Sequence, residues 1–111
     1  MATNLTPVNI FTDIPDRLTG ELVEVVCKSK NVRIERIVSR GHASPPGFWY
    51  DQDTDEYVVL LKGSAGLAIA GRENMIEMKP GDSLNIPAGV KHRVEWTDAR
   101  EDTVWVAVHY R

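Results

Sequence analysis

At 111 residues the chain has room for one domain with a single core and none for a second catalytic unit. Hydrophobic residues at 42% and charged residues at 26% describe a folded globular protein, which excludes a fibre or a disordered chain. The formal net charge is −3 and the basic residues are scattered, which argues against nucleic-acid binding; no apolar run is long enough to span a bilayer.

The N-terminus, MATNLTPVNIFTDIPD, lacks the basic start and apolar middle of a signal peptide, so a cytoplasmic protein is expected. One cysteine, Cys27, leaves no internal disulfide and fits a reducing compartment. Residues 1–12, interrupted by Pro7, read as an arm that lies against the body of the protein or a neighbour. From Ile14 to Lys30 two periods compete. Leu18, Leu22 and Val25 or Val26 recur at helical spacing, whereas Val23, Val25 and Cys27 alternate as in a strand. The expectation is a short helix, so that residues 1–30 form an arm and helix packed on a barrel built from 31–111.

Over residues 31–41 the alternation is that of a strand, with Val32, Ile34, Arg36 and Val38 on one face and Arg33, Glu35 and Ser39 on the other. An arginine on the apolar face needs a carboxylate or carbonyl partner, and Arg36 is expected to pair with Glu56 or Asp51 or to hold an anionic ligand. Pro45, Pro46 and Gly47 then force a loop, followed by the aromatics Phe48, Trp49 and Tyr50 and an acidic run containing Asp51, Asp53, Asp55 and Glu56. Asp53 and Asp55 read as solvated. Glu56 differs, because it opens EYVVLLKG and alternates onto the face of Val58 and Leu60, where a carboxylate points inward.

Lys62, Gly63 and Ser64 form a turn into the small-residue strand AGLAIAGREN, and MIEM makes a further strand ended by Pro80 and Gly81. In GDSLNIPAGVKHRVEW, Pro87 and Gly89 mark a tight connection, after which His92, Val94 and Trp96 alternate against Lys91, Arg93 and Glu95. A histidine aimed inward beside a rigid turn is a ligand or catalytic candidate, weighed against a satisfied core residue. TVWVAVHY closes the chain as a last strand. Seven or eight short strands separated by Gly, Pro and Asx turns argue for an antiparallel sandwich or small barrel.

The spacing Gly81, Pro87, Gly89, His92 resembles the second motif of the cupin superfamily, G-x(5)-P-x-G-x(2)-H-x(3)-N, with Trp96 in the place of its final Asn. Glu56 followed by Gly63 resembles the end of the first cupin motif, but the two histidines of its His-x-His pair are missing. Their places fall on Trp49 and Asp51, or on Tyr50 and Gln52, depending on the spacing to Glu56. RIERIVSRG and PPGFWYDQ look like a group of small single-domain bacterial cupins. The resemblance implies an all-β jelly-roll barrel in which Glu56 and His92 converge, joined by Asp51 or Gln52. It also implies a divalent metal such as Zn, Mn, Fe or Ni on these residues, since oxygen donors dominate the set. His42 and His109 are possible substitutes for the missing pair.

Arg36, Trp49, Tyr50 and Trp96 are expected to line a small pocket for a compact ligand, with Trp96 at its floor. Two functions fit: a metal-dependent enzyme acting on a small molecule, and a metal-free module that binds or senses one. The arm, together with Tyr57, Val59, Leu61 and Trp105 read as outward apolar residues, leads us to expect a homodimer.

Overall fold

The computed structural model describes residues 5–111, so residues 1–4 of the expected arm lie outside it. Eight strands are present: β1 (Leu22–Ser29), β2 (Val32–Ser39), β3 (Asp55–Lys62), β4 (Ala65–Ile69), β5 (Ile76–Met78), β6 (Ser83–Ile86), β7 (His92–Thr97) and β8 (Thr103–Tyr110). They form two antiparallel sheets, one ordered β1-β2-β8-β3-β6 and the other β5-β4-β7. The fold is all-β, and no helix occurs among the described residues.

The helix expected within 14–30 is therefore corrected to strand β1. Two physical reasons combine. Val23, Val25 and Val26 are β-branched and favour a pleated backbone, and β2 offers a hydrogen-bonding edge along Leu22–Ser29. The mixed period has its own cause: the register with β2 slips between Val25 and Cys27, leaving Val26 as the extra residue of a β-bulge. A bulge reverses the alternation, so no single period of 2 runs through the strand.

The inward faces of the two sheets meet in a core of Val58, Leu60, Leu67, Met78, Ile86 and Trp105. Trp105, expected to face outward, is 3% exposed and belongs to this core. On β8 the residues Thr103, Trp105, Ala107 and His109 alternate inward, which fixes the indole on the cavity side. Tyr57 on the other face of β3 stays exposed.

The outer face of the large sheet is held partly by the N-terminal arm. Arg36, on the outer face of β2, donates to the carbonyls of Ile10 (3.2 Å), Thr12 (2.5 Å) and Asp13 (3.3 Å) and pairs with Glu24 on β1. Arg40 acts similarly on the Asp16 carbonyl at 2.7 Å and on Asp102. Arg36 thus finds carbonyls and a carboxylate, as a buried guanidinium must, but its acid is Glu24 and neither Glu56 nor Asp51.

Candidate functional site

Between the sheets lies a cavity of about 260 Å³. Each strand delivers its inward residues to it by simple alternation: Arg33, Glu35 and Ile37 from β2, Glu56 and Val58 from β3, Trp105 and His109 from β8, His92 and Val94 from β7. The face of β2 that carries Arg33 and Glu35 is thus the cavity face, so Arg36 is corrected out of the pocket. Arg36 instead meets the arm on the opposite face, which it shares with Ile34 and Val38 and which is apolar without being the cavity wall.

The loop before β3 is laid along β7 by backbone hydrogen bonds. Tyr50 and His92 exchange both, at 2.8 and 3.1 Å, and the Gln52 carbonyl accepts from Gly89 at 2.8 Å. With extended backbone, Tyr50 and Gln52 face the cavity while Trp49 and Asp51 face away. Trp49 instead carries the Arg93 guanidinium 5.9 Å from its ring centre, and Asp51 is exposed. Of the two spacings left open by the sequence, the structure selects the one that puts Tyr50 and Gln52 where the missing histidines would stand.

Trp96 is also corrected. Leu67 pairs with Val94 but Gly66 pairs with Trp96, so Glu95 is the extra residue of a bulge. The reversal that follows turns Trp96 outward, 36% exposed and packed over Gly66, and buries Thr97 instead. Gly66 is required there, since a Cβ would collide with the indole Nε1.

Glu56 and His92 converge in the cavity. His92 Nε2 lies 3.3 Å from Glu56 Oε1, with both side chains about nine-tenths buried. His92 Nδ1 donates to the Val90 carbonyl at 3.0 Å, because a carbonyl can only accept. Nε2 can then face a carboxylate favourably only if the pair holds one further proton. Burial, the largest single influence on His92, disfavours the imidazolium; the Glu56 hydrogen bond, the Val90 carbonyl and the Glu56 charge together outweigh it and raise the pKa. Tyr50 stacks on the imidazole, ring centres 5.4 Å apart at 22°. Its hydroxyl is held protonated by burial first and then by the charges of Glu21, Glu56 and Glu35.

A second chain of polar contacts stands beside this pair, and of its members the sequence singles out only His109, as a substitute ligand. Glu35 accepts from Arg33 Nε at 3.0 Å and meets His109 Nε2 at 2.9 Å, and both acceptor and imidazole are buried. The alternation of β8 already puts His109 on the face of Trp105, and reading Trp105 as outward is what hid this face as the cavity wall. His42 lies elsewhere: its Nδ1 accepts from the Arg40 amide.

These residues do not make a convincing metal centre. The four positions at issue carry Tyr, Gln, Glu and His, of which the phenol is kept neutral and the amide is a weak donor. Among the described residues no three His, Cys, Asp or Glu side chains gather closely enough to hold an ion. A catalytic divalent site normally takes three protein ligands. What the site does offer is a buried acid–base pair, three carboxylates, an indole and an amide around a space of small-molecule size.

Comparison with known proteins agrees with this architecture. Residues 37–109 match the cupin domain family. The chain is similar to the crystal structure of a "putative mannose-6-phosphate isomerase" from Ralstonia eutropha, at 46% identity and a TM-score of 0.91, covering 96% of this chain and 98% of that one. More distant likenesses, which speak to the fold alone, include a cupin superfamily protein from Desulfitobacterium hafniense (18% identity, TM-score 0.70, 87% and 83% covered). Another is an RmlC-like cupin with a double-stranded β-helix fold from Methanocaldococcus jannaschii (20% identity, TM-score 0.68, 88% and 86% covered). No functionally curated protein matches. With two facing antiparallel sheets and a family match over most of its length, this chain belongs to the cupin family.

Proposed function

We propose that the cavity binds a compact polyhydroxylated molecule of the sugar class and that Glu56 and His92 shuttle a proton on it, in the manner of an aldose–ketose isomerase. The observation that carries this reading is the buried Glu56–His92 contact at 3.3 Å on the wall of a cavity rich in hydroxyl-binding groups. In the proposed step the Glu56 carboxylate takes the proton from the carbon beside the carbonyl while the His92 imidazolium gives one to the carbonyl oxygen. The resulting enediol regains a proton at the neighbouring carbon and loses one from oxygen, so atoms and charge balance. Trp105 offers a flat apolar wall for a sugar face, and Gln52 and Glu35 offer hydroxyl partners. The 46% likeness to a protein bearing an isomerase name supports the same substrate class.

The direct test is to titrate a panel of free and phosphorylated pentoses and hexoses into labelled protein and follow its amide resonances. Shifts confined to Tyr50, Gln52, Glu56, His92 and Trp105 support the reading; a panel that leaves all of them unmoved contradicts it.

A divalent metal is the second reading, and one observation favours it. The Val90 carbonyl fixes the imidazole tautomer as an outer partner does for a metal ligand, leaving Nε2 beside Glu56 Oε1. Elemental analysis of the protein and of His92→Ala decides it: near-stoichiometric metal that vanishes in the variant would establish it, and an unchanged trace content in both would reject it.

A further inference from the structure

We propose that the cleft at the β1–β2 turn is an anion subsite that takes the phosphate of a phosphorylated ligand whose hydroxylated part occupies the cavity; this rests on the reading of the cavity given above. The cleft, about 250 Å³, is lined by Lys28, Lys30, Asn31, Arg33, Thr54 and Arg111 among others, with no Asp or Glu. In a chain of net charge −3 that is a local reversal of sign. The cavity holds Glu21, Glu35 and Glu56, whose charges, after burial itself, raise the Tyr50 pKa and disfavour a phosphate beside them. The phosphate is better accommodated in the cleft, where no carboxylate lines the wall.

The two spaces adjoin, because Arg33 and His109 line both. Strand register explains why. Lys28 pairs with Arg33, Arg33 with His109, and His109 with Glu56, so the four stand in one row across β1, β2, β8 and β3. The bulge at Val26 puts Lys28 in this row, for without it the lysine would fall on the opposite face. Arg33 and Glu56 are two strand spacings apart, about 10 Å. That distance suits a sugar phosphate with its carbonyl end at Glu56 and its phosphate at Arg33.

Charge pairing points the same way. Lys28 and Lys30 have no ion-pair partner among the described residues, and Arg33 uses only Nε on Glu35, leaving its two terminal nitrogens free. Arg111 is the exception, paired with Asp53 at 3.0 Å on the surface. Two like charges facing each other across a strand pair, as Lys28 and Arg33 do, destabilise the sheet until an anion lies between them.

The test uses the whole protein at constant ionic strength, with inorganic phosphate, a free aldose and its terminal phosphate ester as probes. In the wild type, phosphate is expected to shift the amides of residues 28–33, and the ester to bind roughly tenfold or more tightly than the free aldose. In the Lys28→Gln/Lys30→Gln double variant, on the surface and away from the core, the phosphate response should vanish and the affinity gap should close while free-aldose binding is unchanged. Equal affinity for ester and free sugar in the wild type, or a gap that survives in the double variant, overturns the subsite. Phosphate shifts at 28–33 with no response to either sugar would uphold the subsite and overturn the sugar reading of the cavity. Silence to all three probes overturns both.

Discussion

At the scale of single residues, the proposed function turns on one shared proton. With His92 Nδ1 committed to Val90, the Glu56–His92 contact is favourable when the imidazole is charged. Because the folded pKa of His92 lies above its unfolded value, the stabilisation is complete below the unfolded value of about 6.5 and fades as pH rises through the folded one. The melting-temperature gap between wild type and His92→Gln should therefore be widest in mildly acidic buffer and narrow toward alkaline pH. A gap that widens with pH would mean that the pair is not charged as described. Glu56→Gln should keep ligand affinity within severalfold and lower any proton exchange roughly 10²–10⁴-fold, the usual worth of a positioned base.

The elements explain which residues reach the cavity. Glu56 and His92 were legible in the sequence because each sits at the start of a strand whose alternation is unbroken where it matters. Trp96 and the β1 segment were not, since bulges at Glu95 and Val26 reverse the alternation, and a bulge leaves no composition signal of its own. Arg36 misled for another reason. Its face is apolar, but what Arg36 meets there is the arm and Glu24, and the sequence does not say which of two strand faces encloses a ligand. Arg36→Ala should strand the carbonyls of Ile10, Thr12 and Asp13 and free the arm; we expect a loss of about 1–3 kcal/mol in urea unfolding. It should also bring faster proteolysis near residue 12. Unchanged stability would show that the arm is held by other contacts. The β3–β4 turn is stricter. Gly63 has φ +85°, and a Cβ there would lie 2.7 Å from Thr103 Cα and 2.9 Å from the Asp102 carbonyl. Gly63→Ala should cost more than about 2 kcal/mol, since both the backbone conformation and the space oppose it.

For the molecule as a whole, the strand count, the turns and the cupin resemblance identified the fold, and the reason is physical. Eight short amphipathic strands have few ways to bury their inner faces. The site was legible only where its residues sit in a motif; Arg33, Glu35 and the cleft emerge from register, which is a long-range property. No helix among the described residues is long and apolar enough to cross a membrane. The edge strand β1 leaves Val23, Val25 and Val26 about half exposed, and we infer that a second copy covers them. Light scattering at micromolar concentration should give the dimer mass, and Val25→Lys should give the monomer; a wild-type monomer would reject the inference.

The central claim is that a buried acid–base pair moves a proton on a small hydroxylated ligand. Proton NMR of the sugar panel with the protein in heavy water tests it most directly. Our account predicts that at least one sugar or sugar phosphate loses its proton signal beside the carbonyl, and that Glu56→Gln binds the same compound without exchanging it. A panel member that occupies the cavity but keeps that proton, or an equal exchange rate in Glu56→Gln, would contradict the account.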